Sequence, residues 1–200
     1  MVTCQDIISY LDKNYKYIGT LSFLSNNEKI KSQVEAYNFD KIKESIYKNN
    51  CTSADALLIR KNLNLIEFKT GFDSPDDTLS EKIKKDNLRL SIRIKAYESL
   101  HLLETAIIDE ISPNGQLENG IKKVFCAVVD TNEPIVAEET YVDILCDAGG
   151  IKENKSFKMK IVENILSLYR KETDKQKKLF YDDVYVLYDY EFDKKVEQFK

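Results

Sequence analysis

Residues 55–69 read DALLIRKNLNLIEFK. Two short apolar runs flank a polar break at about Lys61–Asn64, the pattern of a β-hairpin. Asp55 opens the first run, and Glu67 and Lys69 close the second. A carboxylate inside an apolar strand costs several kcal/mol unless it is paired or bound to a cation. Asp55 and Glu67 lie twelve positions apart, so a fold near residues 61–64 brings them side by side. Two facing carboxylates repel, and a metal ion or a lysine must compensate them. Lys69 is two residues beyond Glu67 and shares its face of the strand.

The two carboxylates and the Phe68 carbonyl form an oxygen donor set suited to Mg²⁺ or Mn²⁺. Such an ion activates a water, which Lys69 can orient while offsetting charge on a phosphate. These residues resemble the PD-(D/E)xK nuclease superfamily, with Ala54-Asp55, eleven intervening residues, then Glu67-Phe68-Lys69. Ala54 stands where the pattern has proline, and the literal Pro75-Asp76 falls after the lysine. KAYESLHLL, residues 95–103, is similar to a K-x-Y-(D/E)-S-L pattern that follows an IEFK strand in such proteins.

The resemblance spans about residues 35–130. It implies an α/β fold with a restriction-endonuclease-like αβββαβ core, a mixed central sheet flanked by helices. It also implies a metal-dependent nuclease hydrolysing phosphodiester bonds in DNA or RNA, DNA ahead of RNA, in phage defence or a mobile element. Asp55, Glu67 and Lys69 would be catalytic, with Asp55, Glu67 and Phe68 holding the metal. A further acid comes from a helix before the sheet in many members, which points to Glu35, with Glu44 behind it. Lys95 becomes a supporting basic residue. A second copy of the chain or a protein partner would extend the substrate surface. The alternative is a catalytically inactive nuclease-fold module that binds nucleic acid or a protein partner, which follows if the carboxylates point apart.

Other (D/E)xK triplets, Glu153-Asn154-Lys155 and Asp193-Lys194-Lys195, sit in charged surroundings without an acid-headed strand before them. Residues 82–95, KIKKDNLRLSIRIK, hold six basic residues against one acid. Lys85, Arg89 and Lys95 are therefore candidate phosphate contacts. A charge run on a helix is also the ordinary look of a solvated face.

Composition narrows the chemistry further. Four scattered cysteines and the single His101 disfavour a zinc site and any histidine-activated nucleophile. A net charge of −4 argues against nonspecific coating of nucleic acid, though a local basic patch stays open. No apolar window spans a membrane, and the N-terminus lacks a signal-peptide pattern, so a cytoplasmic protein is expected.

Two hundred residues suit one domain, residues 1–200, with 131–200 adding a helix and a strand. Helical spacing marks residues 3–16 and a long helix from Thr78 or Ser80 to about Ile108. Its buried stripe is Ile92, Ala96, Leu103 and Ile107, with Ser99 or Leu100 between, and His101 on or near that packed face. YIGTLSFL reads as a strand, residues 26–50 as partly helical, IKKVFCAVVD as a strand, 155–178 as a helix, and DDVYVLYDYEF as a final strand. Asp147-Ala148-Gly149-Gly150 reads as a turn. Helices and strands interleave as in an α/β protein.

Overall fold

The computed structural model describes residues 1–47, 51–72, 79–130 and 181–199. Among the described residues, six strands form one mixed, open sheet in chain order. They are β1 (Ile18–Thr20), β2 (Glu35–Asn38), β3 (Ala56–Ile59), β4 (Leu63–Lys69), β5 (Lys123–Val129) and β6 (Asp183–Tyr188). The pairings from β1 through β4 are antiparallel, and β4–β5 and β5–β6 are parallel. The helices of the described residues are α1 (Cys4–Asn14), α2 (Leu21–Leu24), α3 (Phe39–Tyr47), α4 (Leu79–Leu103), α5 (Asp109–Ile111) and α6 (Asp189–Val196). A π-helical turn, Glu104–Ile108, joins α4 to α5.

Both faces of the sheet are covered. Leu57, Leu63, Leu65, Phe125 and Ala127 point toward a core shared with Ile7 and Leu11 of α1, Phe39 and Ile42 of α3, and Ile92, Ala96, Leu100 and Leu103 of α4. The alternate positions, Ala56, Leu58, Ile66, Phe68, Cys126 and Val128, meet Leu21 of α2 and Phe192 and Val196 of α6. Burial from two sides explains why LNLIEFK and KVFCAVV read as nearly continuous apolar runs. Both residues left open in the α4 stripe, Ser99 and Leu100, are buried.

Local chemistry sets the element ends. Thr3 caps α1 in a reciprocal capping box with Asp6. The hairpin turn is tighter than the polar break suggests. β4 begins at Leu63, and Arg60 N–H donates to the Asn62 carbonyl at 3.1 Å. Asn64 therefore lies inside β4, buried, where its amide nitrogen donates to the Leu58 and Asn62 carbonyls. After β4 the chain turns through Gly71 at φ +100°, a conformation that favours glycine. The Asp130 carboxylate at the end of β5 accepts both the Gly71 and Phe72 N–H groups.

Several expectations change. YIGTLSFL is a three-residue strand followed by the turn of α2. Glu35 sits at the exposed start of a strand. The last strand stops at Tyr188, because Glu191 reaches back to the Tyr188 N–H and starts α6. His101 is exposed, one position off the packed stripe. Strand β6 pairs with β5, so residues 183–188 extend the sheet that carries the hairpin. The expected helix at 155–178, the 147–150 turn, the Glu153 triplet and Pro75-Asp76 lie outside the described residues. No helix among the described residues is long and apolar enough to cross a membrane.

The two-sided burial predicts a large cost for truncating the middle of β5. Phe125 is fully buried and packs its ring 5.3 Å from that of Tyr181. Phe125→Ala should destabilise the fold by about 3–5 kcal/mol, measured by urea denaturation.

Candidate active site

The hairpin and α4 build the site together. Asp55 immediately precedes β3, at the position parity of Leu57, and Glu67 lies near the end of β4, at the parity of Leu65. Both side chains thus face α4. The Lys95 ammonium reaches from α4 to donate to Glu67 Oε2 at 2.8 Å and to Asp55 Oδ1 at 3.3 Å. The other Asp55 oxygen, Oδ2, accepts the Phe68 N–H at 2.7 Å. Glu67 is fully buried, and its Oε1 has no hydrogen-bond partner.

Odd-numbered residues of β4 bond toward β5: Leu63 N–H donates to the Lys122 carbonyl, and the Lys69 carbonyl accepts from Asp130. Even-numbered residues face the other way, which is why the Phe68 N–H meets Asp55. The N–H and C=O of one strand residue point to the same side, so the Phe68 carbonyl faces that edge too.

Lys69 does not touch either carboxylate. Its ammonium donates to Ser91 Oγ of α4 at 3.0 Å, close enough for its charge to act on Glu67. The polar contacts form a stripe along one side of α4, at the three- and four-residue spacing that aligns helix side chains. Ser91 holds Lys69, and Lys95 holds the two acids. Glu98 accepts the Thr52 N–H and hydroxyl, and Ser99 Oγ accepts the buried Ala54 N–H at 2.6 Å. The strand-leading segment 52–55 is thereby fastened to the helix. Asp40 of α3 holds it from the other side, accepting the Ser53 hydroxyl at 2.6 Å.

Electrostatics follow from this enclosure. Burial pushes the Glu67 carboxyl well above its ordinary value; the Asp55 charge adds to the push, and Lys95 opposes it. Burial also raises Asp55, against Lys95 and the Phe68 N–H. Burial alone would lower Lys95, but the Glu67 and Asp55 charges prevail and raise it.

The expected residues thus fall into two groups. Asp55, Glu67, Phe68, Lys69 and Lys95 come together; Glu35 does not. Glu35 precedes by four residues Phe39, whose N–H bonds to the Asp55 carbonyl, so it sits about 13 Å along the strand direction. Glu44 is a solvent-facing acid of α3. Nor do the expected phosphate contacts form an open basic face. Lys85 is buried, Arg89 is largely covered and bonds Asp86 at 2.7 Å, and Lys95 is committed to the acids. In the Asp193 triplet the carboxylate accepts the Lys31 and Ser32 N–H groups, a structural duty.

Asp40 was not legible in the sequence. It lies near enough to push Asp55 upward, yet nothing in its spacing links it to the hairpin. Glu98 and Ser99 carried a signal, the K-x-Y-E-S-L pattern, whose positions turn out to bond the hairpin. Among the described residues no group of three or more His, Cys, Asp or Glu side chains gathers around one point. The oxygens brought together here are those of two carboxylates, with a main-chain carbonyl on the same strand edge. No family model matches the chain, and no curated protein or solved structure matches it either.

The raised carboxyls give a signed pH prediction. Glu67 titrates above its ordinary 4.5 in the folded protein, so the folded state binds more protons there than the unfolded chain. Stability then falls as pH rises through the interval above 4.5. The Lys95 contribution is complete below its ordinary 10.5 and stays constant across that interval. Glu67→Gln should flatten the fall and gain on the wild type as pH is raised, in thermal melts between roughly pH 5 and 8.

Proposed function

We propose that this protein is a metal-dependent nuclease of the PD-(D/E)xK kind, hydrolysing phosphodiester bonds in nucleic acid. One observation carries the reading. Carboxylates from two neighbouring strands, both turned toward α4, converge on a single cation, and one buried oxygen of Glu67 is left without a partner. An orphaned carboxylate oxygen at full burial is costly in a merely structural ion pair. It suits a site that takes a further oxygen-seeking ion, so the residues fit Mg²⁺ or Mn²⁺. With β1 and α2 added before β2, α3 between β2 and β3, and the π-helical turn and α5 before β5, the succession α1, β2, β3, β4, α4, β5 supports an αβββαβ core.

The roles divide as follows. Asp55, Glu67 and the Phe68 carbonyl would hold the metal. When bound, such an ion supplies Lewis-acid polarisation of a phosphate and lowers the pKa of a water. Lys69 offsets negative charge growing on the phosphate, and Ser91 fixes the direction of its ammonium. The apolar walls beneath strengthen these charges by excluding water. DNA is the favoured substrate over RNA, by the same resemblance in the motif residues. A second reading, a nuclease-fold module without chemistry that binds nucleic acid or a partner, is favoured by the one fact that Lys95 already bridges both acids.

Cleavage of labelled single- and double-stranded DNA and RNA, with Mg²⁺, Mn²⁺ or EDTA, separates the two. Metal-dependent cutting is expected, with Asp55→Ala and Lys69→Ala each lowering the rate about 10²-fold or more while remaining folded. Silence on every substrate under every metal would overturn the nuclease reading in favour of the binding module.

A further inference from the structure

We propose that Lys95 is the resident counter-ion of the metal-free site, and that a divalent cation binds only as the Lys95 ammonium swings out from between Asp55 and Glu67. The inference rests on the nuclease reading and deepens it by naming what controls access to the metal position. Lys95 Nζ contacts one oxygen from each acid, at 2.8 and 3.3 Å, so it sits at the point where their negative fields add. One ammonium against two carboxylates leaves a net charge of −1 on the cluster if both acids are ionised. A divalent ion in its place removes that excess.

The two cations exclude each other. Metal–oxygen bonds of about 2.0–2.1 Å for Mg²⁺ draw the acids closer than the ammonium contacts allow. Two positive charges within a few ångströms in a largely dry site also repel strongly. Lys95 can leave because it is built to do so. Its side chain is 19% exposed, on a flexible four-carbon stem, whereas Glu67 is at 0% and fixed within the strand. A lysine placed there only to tie α4 to the sheet would leave no reason for Glu67 Oε1 to stay unpartnered.

The test compares Mn²⁺ binding by titration calorimetry on the full-length wild type and Lys95→Met. The Met variant should bind at least tenfold tighter, because no ammonium competes. It leaves both acids unpaired until metal arrives, so its melting temperature should also rise more on adding Mn²⁺ than that of the wild type. Should Lys95→Met fail to fold, the wild type decides alone. Reductive methylation with labelled formaldehyde, read by peptide mass spectrometry, should modify Lys95 severalfold faster with Mn²⁺ than with EDTA. Mn²⁺ binding to the wild type with no gain in Lys95→Met, or with Lys95 labelling unchanged, overturns the competition and leaves the metal site standing. No Mn²⁺ binding by either protein overturns both.

Discussion

Lys95 crosses the interface between α4 and the sheet to meet Glu67 and Asp55, and the placement of everything around it follows. Asp55, just before β3, and Glu67, near the end of β4, both face the buried side. Neither acid can remain ionised there alone, and removing one partner of such a buried pair costs about 3–5 kcal/mol. The helix must therefore deliver a cation at one particular height along β4. Ser91, Glu98 and Ser99 then fall into bonding range of Lys69, Thr52 and Ala54, because they lie on the same side of α4. The adjoining apolar stripe, Ile92, Ala96, Leu100 and Leu103, settles the depth of the contact.

That arrangement gives the hairpin an unusual asymmetry. Its turn end is held by packing, Asn64 and the β-ladder, while its acidic end is held by charge and by side chains from α3 and α4. Asp130 at the tip of β5 fastens the neighbouring turn through Gly71 and Phe72, so the C-terminal end of β4 is clasped from two directions. Such fastening around Glu67 and Lys69 would serve the proposed reaction, since misplacing a catalytic group by about 1 Å forfeits its orientation.

The hairpin was legible because both cues act locally: apolar runs of strand length, and acids at positions where acids are expensive. The K-x-Y-E-S-L segment was legible as a pattern, but not what its residues do. Lys95 read as a candidate phosphate contact because a helix sequence shows a charge and not its partner, and the partner lies 28 residues away. Glu35 was misplaced for a related reason. Ala36, Phe39 and Ile42 recur at three-residue spacing and look like one helix, although a four-residue strand ends and α3 begins between them. The same ambiguity stretched the last strand through Phe192, where the alternation of aromatics continues into α6. Asp40 joins the site only through the tertiary fold, so no spacing could have revealed it.

The most direct measurement is anomalous diffraction at the manganese edge from crystals of the protein soaked in Mn²⁺. One strong peak is expected between the Asp55 and Glu67 carboxylates, at oxygen-coordination distance, with the Lys95 ammonium no longer bridging them. Crystals that show no peak there, with Lys95 still bonded to both acids, would contradict this expectation.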